Sequence, residues 1–339
     1  MVTMKKLSLL TVVLAVLLPI YAAKHDPDFQ RAILHGATAQ ISVRVVDDEQ
    51  KPVSDVKIEA RFDHALQSAG EVKVASTDTN GIAVVSGKTG KTVCIQATKS
   101  GYYRSSDSVC FVSMGQGVVE GKWQPWNMEK TIILRAVRNP VACQHKVRGY
   151  KHVNRVNEWL KFDLEYGDFL PPEGSGKVCD MEVLFDWNGK LGDEYTGMGV
   201  KIRFPNDGYS GGYYADNVMC SDFKGVYDFL PNNRLISEFA YSTIEERDSA
   251  TGALQRRQEM LFDKTKGLVA RIRCEVDPAS GKLLKFHCAQ ISDIKFGCNK
   301  SGVVFLLKSF FNPTPNDTNL EFDPARNLYQ GKKGRGMIP

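Results

Sequence analysis

The chain has 339 residues, 42% of them hydrophobic, with 29 Gly and 14 Pro, which excludes collagen-like and low-complexity classes and allows a sizeable core. At 24% charged and 10% aromatic residues its composition is not that of a disordered chain, and its length suggests two domains. A formal charge of +5 is too small for a broad basic footprint, so nucleic acid is not an expected partner.

The first element is a leader. Lys5 and Lys6 precede an apolar run from Leu7 to Leu18, closed by Pro19 before the small residues Ala22 and Ala23. This reads as a signal peptide over residues 1–23, because the run falls short of the roughly 20 residues that span a bilayer. Its removal lowers the formal charge to +3 and predicts a secreted or periplasmic protein of a bacterial, Sec-type route, with no membrane span after cleavage. The late apolar stretch Val303 to Phe311 is too short to span and is interrupted by Lys308.

Strand-like alternation then dominates, as in Ile41, Val43 and Val45, and in Val56, Ile58, Ala60 and Phe62, which face away from Lys57, Glu59 and Arg61. Cys94 and Cys110 are symmetric about Tyr102 in a turn-like Lys99-Ser100-Gly101-Tyr102-Tyr103, so a hairpin is expected to bring them opposite each other as a disulfide. Free thiols acting as small hydrophobes are the alternative for all eight cysteines. Trp123 and Trp126 bracket Pro125 before the strand Thr131 to Val137 and suit a clamp at the end of a sandwich.

Three stretches of this segment carry a resemblance: residues 46–58 (Val46-Asp47-Asp48-Glu49-Gln50-Lys51-Pro52 to Ile58), Ser76-Thr77-Asp78-Thr79-Asn80-Gly81, and Lys99-Ser100-Gly101-Tyr102-Tyr103. Together they resemble the carboxypeptidase regulatory-like (prealbumin-like) β-sandwich, which implies such a domain over residues 36–137, with bacterial immunoglobulin-like adhesin domains as the second reading. Gln50 departs from the pattern, which has a turn glycine there. The stretches Lys122 to Asn127, Asn139 to Val141, Phe162 to Asp168, Gly174 to Val178 and Asn312 to Pro324 resemble the second half of a group of uncharacterised secreted bacterial proteins that carry this domain at the front. That likeness implies architecture and export, and no activity.

Residues 138–153 are polar and read as a linker, with His145 and His152 as ordinary polar residues in it. A second β-rich domain, sandwich-like, is expected over 154–330, making the fold class mainly all-β. Val200, Ile202 and Phe204 alternate there, Asn154 to Lys161 suits a short helix, and Ala253 to Leu261 suits a short helix or a strand. Cys274 and Cys288 flank the turn Asp277 to Lys282 and form the second disulfide candidate. Residues 331–339 read as a basic, disordered tail.

Function is less legible. Asp163, Glu165 and Asp168 could supply an acid and a base, and a solvated polar strand face or turn explains the same residues. Asp317, Glu321 and Asp323, with Asn316 and Asn319, have oxygens for calcium but not the spacing of a calcium loop; Asx turns in a returning segment account for them. There is no paired Cys-x-x-Cys and no phosphate cradle, so neither metal nor cofactor is expected. The stretch Asp207 to Asn217 combines Tyr209, Tyr213 and Tyr214 with Gly211 and Gly212 and with the hydrogen-bonding Asp207, Asp216 and Asn217, the ingredients of a ligand loop. The tyrosines packing back on a sheet is the alternative. The resulting expectation is an exported, non-enzymatic binding or structural protein, with a glycan or an extracellular protein as partner. A secreted glycan hydrolase using Asp163, Glu165 and Asp168 is one alternative, and a passive envelope component another.

Overall fold

The computed structural model describes residues 27–66, 70–147, 151–187, 198–216, 221–223, 226–227, 235–247, 254–259, 266–299 and 302–329. The expected leader (1–23) and tail (331–339) lie outside them. Among the described residues no helix is long and apolar enough to cross a membrane. These residues divide into two compact units, one of 27–137 with 221–223 and one of the rest from 138 onward. Both are built mainly of strands, so the chain is all-β in the main, as the alternation predicts.

Unit one contains α1 (Pro27–His35), β1 (Ala37–Val46), β2 (Lys57–Phe62), β3 (Glu71–Ser76), β4 (Ile82–Thr89), β5 (Thr92–Thr98), β6 (Ser105–Cys110), α2 (Phe111–Met114), β7 (Val118–Val119), β8 (Lys122–Trp123) and β9 (Met128–Ile133). One sheet runs β4-β1-β8-β7, with β9 pairing β1 in parallel, and the other runs β3-β2-β5-β6. The inward residues Ile41, Val43 and Val45 of the first meet Ile58, Ala60 and Phe62 of the second in one buried core. Gly87 makes room for this: a Cβ there would lie 2.7 Å from the Phe62 ring. Trp123 is fully buried at the margin of the core, 5.8 Å from Phe111, 5.6 Å from Phe29, and donating its indole N–H to the Thr89 carbonyl. Helix α1, which delivers Phe29, is absent from the sequence reading although Phe29, Ala32 and Ile33 have helical apolar spacing.

The β5–β6 hairpin corrects one cysteine pairing. Cys94 faces Ser108 and Cys110 faces Thr92, so the axis passes through Gly101 instead of Tyr102. Gly101, at φ 79°, helps close the Lys99–Tyr102 turn, and Tyr102 and Tyr103 then leave the hairpin to pair with Ala136 and Arg135. The two cysteines become diagonal neighbours, about 7–8 Å apart in such a ladder, which a disulfide does not span. Both are free thiols.

Unit two contains β10 (Gln144–Val147), β11 (Lys151–Val153), β12 (Trp159–Asp163), β13 (Asp168–Phe169), β14 (Met181–Asp186), β15 (Met198–Arg203), β16 (Gly211–Asp216), β17 (Glu238–Arg247), β18 (Leu254–Glu259), β19 (Lys266–Val276), β20 (Leu283–Asn299) and β21 (Gly302–Asn312). Two antiparallel sheets result, β10-β21-β20-β19-β16 with β11 also on β21, and β13-β12-β14-β15-β17-β18. Phe305 sits in the core between them, 5.2 Å from Phe185 and 5.7 Å from Phe169. The stretch expected as a linker, 138–153, thus contributes β10 and β11 to a sheet; its polar residues alternate with ones that the sheet takes in, such as Val153. The helix expected from Asn154 is also absent. Asn157 is held at φ 61° while its amide side chain bonds the backbone N–H and carbonyl of Trp187, and β12 starts two residues later.

Cys274 and Cys288 are likewise unbridged. Cys288 faces Arg271, three residues before Cys274, because the pairing of Val276 with Leu283 centres the hairpin nearer Cys274 than Cys288. Cys288 and Cys143 are buried, and burial pushes both thiols up to about 12, so they behave as apolar side chains.

Candidate functional site

Two of the three expected acid–base residues, Asp163 and Glu165, meet around a residue the sequence reading did not include, whereas Asp168 is held by other partners. Arg273, at φ 52° in the β19 bulge, turns its guanidinium inward. Its Nε donates to Asp180 at 2.8 Å, Nη1 to Glu165 at 2.6 Å, and Nη2 to Asp180 at 3.0 Å and Asp163 at 3.2 Å. The Phe311 ring lies 4.6 Å from the guanidinium carbon. These partners are 93 to 110 residues from Arg273 in the sequence, beyond any local motif.

Asp163 and Asp168 are buried, not on a solvated face. Asp163 accepts the backbone N–H groups of Glu165 and Tyr166 on Oδ1 and those of Lys177 and Val178 on Oδ2. Asp168 accepts Phe169 N and the Lys151 ammonium on Oδ1, and Ser175 N and Oγ on Oδ2. The loop that supplies these donors needs its glycines, since a Cβ on Gly174 would lie 2.1 Å from the Phe169 carbonyl oxygen. Burial pushes the Asp180 carboxyl up, by more than its bonds from Arg273 and Leu164 N pull it down. Burial also opposes the charge on Arg273, but the bonds to Asp180 and Glu165 outweigh it, and the guanidinium is held above its ordinary value.

The tyrosine stretch is not a single loop. Asp207 closes an Asx turn by accepting Tyr209 N, Ser210 N and Ser210 Oγ, and the chain enters β16 at Gly211. Burial pushes the Asp207 carboxyl up, but the bonds from Ser210 and Tyr209 more than offset this and hold it low. Tyr209 donates its hydroxyl to the Gly281 carbonyl at 2.6 Å. In β16 alternate residues face opposite ways. Tyr213 is buried beside Val269, Cys288 and Leu320, whereas Tyr214 packs on the main core, 5.2 Å from Phe239. The three rings therefore form no common shelf. Gly212 brings strands together instead of a ligand, because a Cβ there would lie 2.8 Å from Leu268. Asn217 and the side chain of Asp216 lie outside the described residues.

Asn312 to Pro324 forms the returning segment. Asn312 donates to Asp317 and to the Asn319 carbonyl, Glu321 accepts the N–H groups of Arg138 and Asn139, and Asp323 accepts Ala325 N at a short 3-10 turn. Among the described residues no group of three or more His, Cys, Asp or Glu side chains is arranged to hold a metal ion.

No family model matches the chain, and no curated protein is similar to it. Among solved structures, a 3-chlorocatechol 1,2-dioxygenase from Rhodococcus opacus 1CP is 16% identical over 31% of this chain and 62% of its own, with a TM-score of 0.25. A Streptococcal ancillary pilin is 13% identical over 66% of this chain and 63% of its own, with a TM-score of 0.20. The match thus spans under two thirds of either structure's own chain, and TM-scores this low carry no inference about function.

Proposed function

We propose that the protein is exported and works by recognition, as a non-enzymatic binding or structural protein of the periplasm or cell exterior, with a glycan as the first ligand class. Export is supported by Lys5, Lys6 and the apolar run that follows them. Recognition over turnover is supported by one observation: both oxygens of Asp163 and of Asp168 are taken by structural donors, whereas a general acid or base needs a carboxyl that faces its substrate. Unit one is proposed to be a carboxypeptidase regulatory-like domain. Its support is the resemblance of residues 46–58, 76–81 and 99–103, together with Gly81 and Gly101 at the positive φ those turns need.

The test is a screen of polysaccharides for both binding and hydrolysis, with the wild type, Asp163→Asn and the half-exposed Glu165→Gln. Binding without turnover is the expected result. Hydrolysis that either folded variant abolishes would reinstate the glycan hydrolase, and failure to bind any glycan or extracellular protein would leave the passive envelope role.

A further inference from the structure

Unit one carries a groove that the tyrosine stretch does not share. It lies where the chain enters β2 through Asp55 and Lys57 and leaves β5 through Lys99, Ser100, Tyr102 and Arg104, and it is an open surface depression of about 580 Å³. Lys57 stands opposite Thr98 in the β2–β5 ladder, and the Lys99 ammonium crosses the groove to donate to the Ser54 carbonyl, so the two bordering segments are tied together.

The lining is unevenly charged. Lys57, Lys99 and Arg104 face one carboxylate, Asp55. Lys57 pairs with Glu59 and Arg104 with Asp222; Lys57, Arg104 and Asp222 are half exposed to solvent and Glu59 less so, and such surface pairs contribute little and exchange readily. Lys99 differs: it is half-buried, its bond goes to a neutral carbonyl, and among the described residues no carboxylate neutralises it. The hydroxyls of Ser100 and Tyr102 make no hydrogen bond among the described residues.

From this lining we infer that the groove binds an acidic saccharide, with the sugar carboxylate on Lys99 and its hydroxyls on Ser100, Tyr102 and Asp55. A bare phosphate fits less well, because the donors are spread from Lys57 to Arg104 and do not converge as in an anion nest. Asp55 supplies an acceptor for a sugar hydroxyl. The aliphatic stems of the lysines and the Tyr102 ring provide the apolar surface that a sugar ring covers.

This inference rests on the recognition reading above, and its test separates the two. The full mature chain is titrated calorimetrically with trigalacturonate, with neutral galactotriose and with inorganic phosphate, for the wild type, Lys99→Met and the exposed Lys57→Gln. The expected result is binding of trigalacturonate, weakened by salt and about tenfold or more weaker in Lys99→Met, as for loss of a charge-assisted bond. Lys57→Gln should weaken it less. Galactotriose should bind far more weakly than trigalacturonate, and phosphate should not compete. Equal binding of galactotriose would overturn the acidic class, and competition by phosphate at the same affinity would reduce the groove to an anion site. Trigalacturonate binding that both folded variants leave unchanged would remove the groove while the recognition reading stands. No binding of trigalacturonate overturns the inference outright, and the recognition reading falls with it only if the wider glycan and protein screen is also empty.

Discussion

Gln50 shows what a single backbone position costs. It sits at φ 63°, where a Cβ is disfavoured by about 1–2 kcal/mol, and it is held there by Asp47, whose Oδ1 accepts the N–H groups of Glu49 and Lys51. Gln50→Gly removes that strain and adds about 0.5–1 kcal/mol of unfolded-chain entropy cost, so a net stabilisation of about 0.5–1 kcal/mol is expected in denaturant titration. Two aspartates make opposite predictions for pH. Asp180 has a native pKa above that of the unfolded chain, about 3.9, so the native state takes the proton first. Its contribution to stability therefore rises as pH falls through the native value and levels off below the unfolded one. For Asp207 the native value is depressed, and its stabilising contribution is present above about pH 3.9 and lost as pH falls through the native value. Unfolding measured at about pH 7, about pH 4 and about pH 2 should show the penalty of Asp180→Asn growing toward acid, and that of Asp207→Asn held down to about pH 4 and shrinking below it.

At the scale of elements, the β19 bulge decides how unit two is tied together. The extra residue between Ile272 and Glu275 breaks the alternation, and that break turns Arg273 toward Asp163 at the end of β12 and Asp180 just before β14, both with fully buried carboxylates. Arg273→Leu leaves two buried charges without their cation and should cost about 3–5 kcal/mol, read from equilibrium unfolding. Combining it with Asp180→Asn should recover part of that loss, because one uncompensated carboxylate is then gone; strictly additive losses would show that the two side chains are not coupled. The cysteine pairings misread because counting outward from a turn needs its centre: Val276 opposite Leu283 places it nearer Cys274 than Cys288, and Cys94 opposite Ser108 places it at Gly101 instead of Tyr102. The strands themselves were legible, since Ile41, Val43 and Val45 or Val200 and Ile202 bury one face in strict alternation.

Across the whole molecule, legibility follows the range of the interaction. Turn chemistry at Asp78, Gly81 and Gly101 is local and was readable, as were the Asx turns of the returning segment, whereas Arg273 and its carboxylates are joined only by the fold. The polar stretch 138–153 misled because hydrophilicity marks an edge position as readily as a linker, and β10 and β11 both add to the flank of β21. The same reasoning bears on where unit one begins. Phe29 and Ala32 of α1 are buried against Trp123 and its neighbours, so a unit cut at residue 36 would leave that end of the core open to water. A fragment of residues 27–137 is expected to unfold cooperatively, somewhat below its stability in the full chain because Phe223, which packs 5.4 Å from Tyr103, is left out. A fragment of 36–137 should be less stable than 27–137 by about 3 kcal/mol, the scale of burying one phenylalanine, and Phe29→Ala in the longer fragment should reproduce most of that difference. Equal midpoints for the two fragments in urea would show that α1 contributes nothing to the core, and a broad, non-cooperative transition in both would show that unit one does not fold alone.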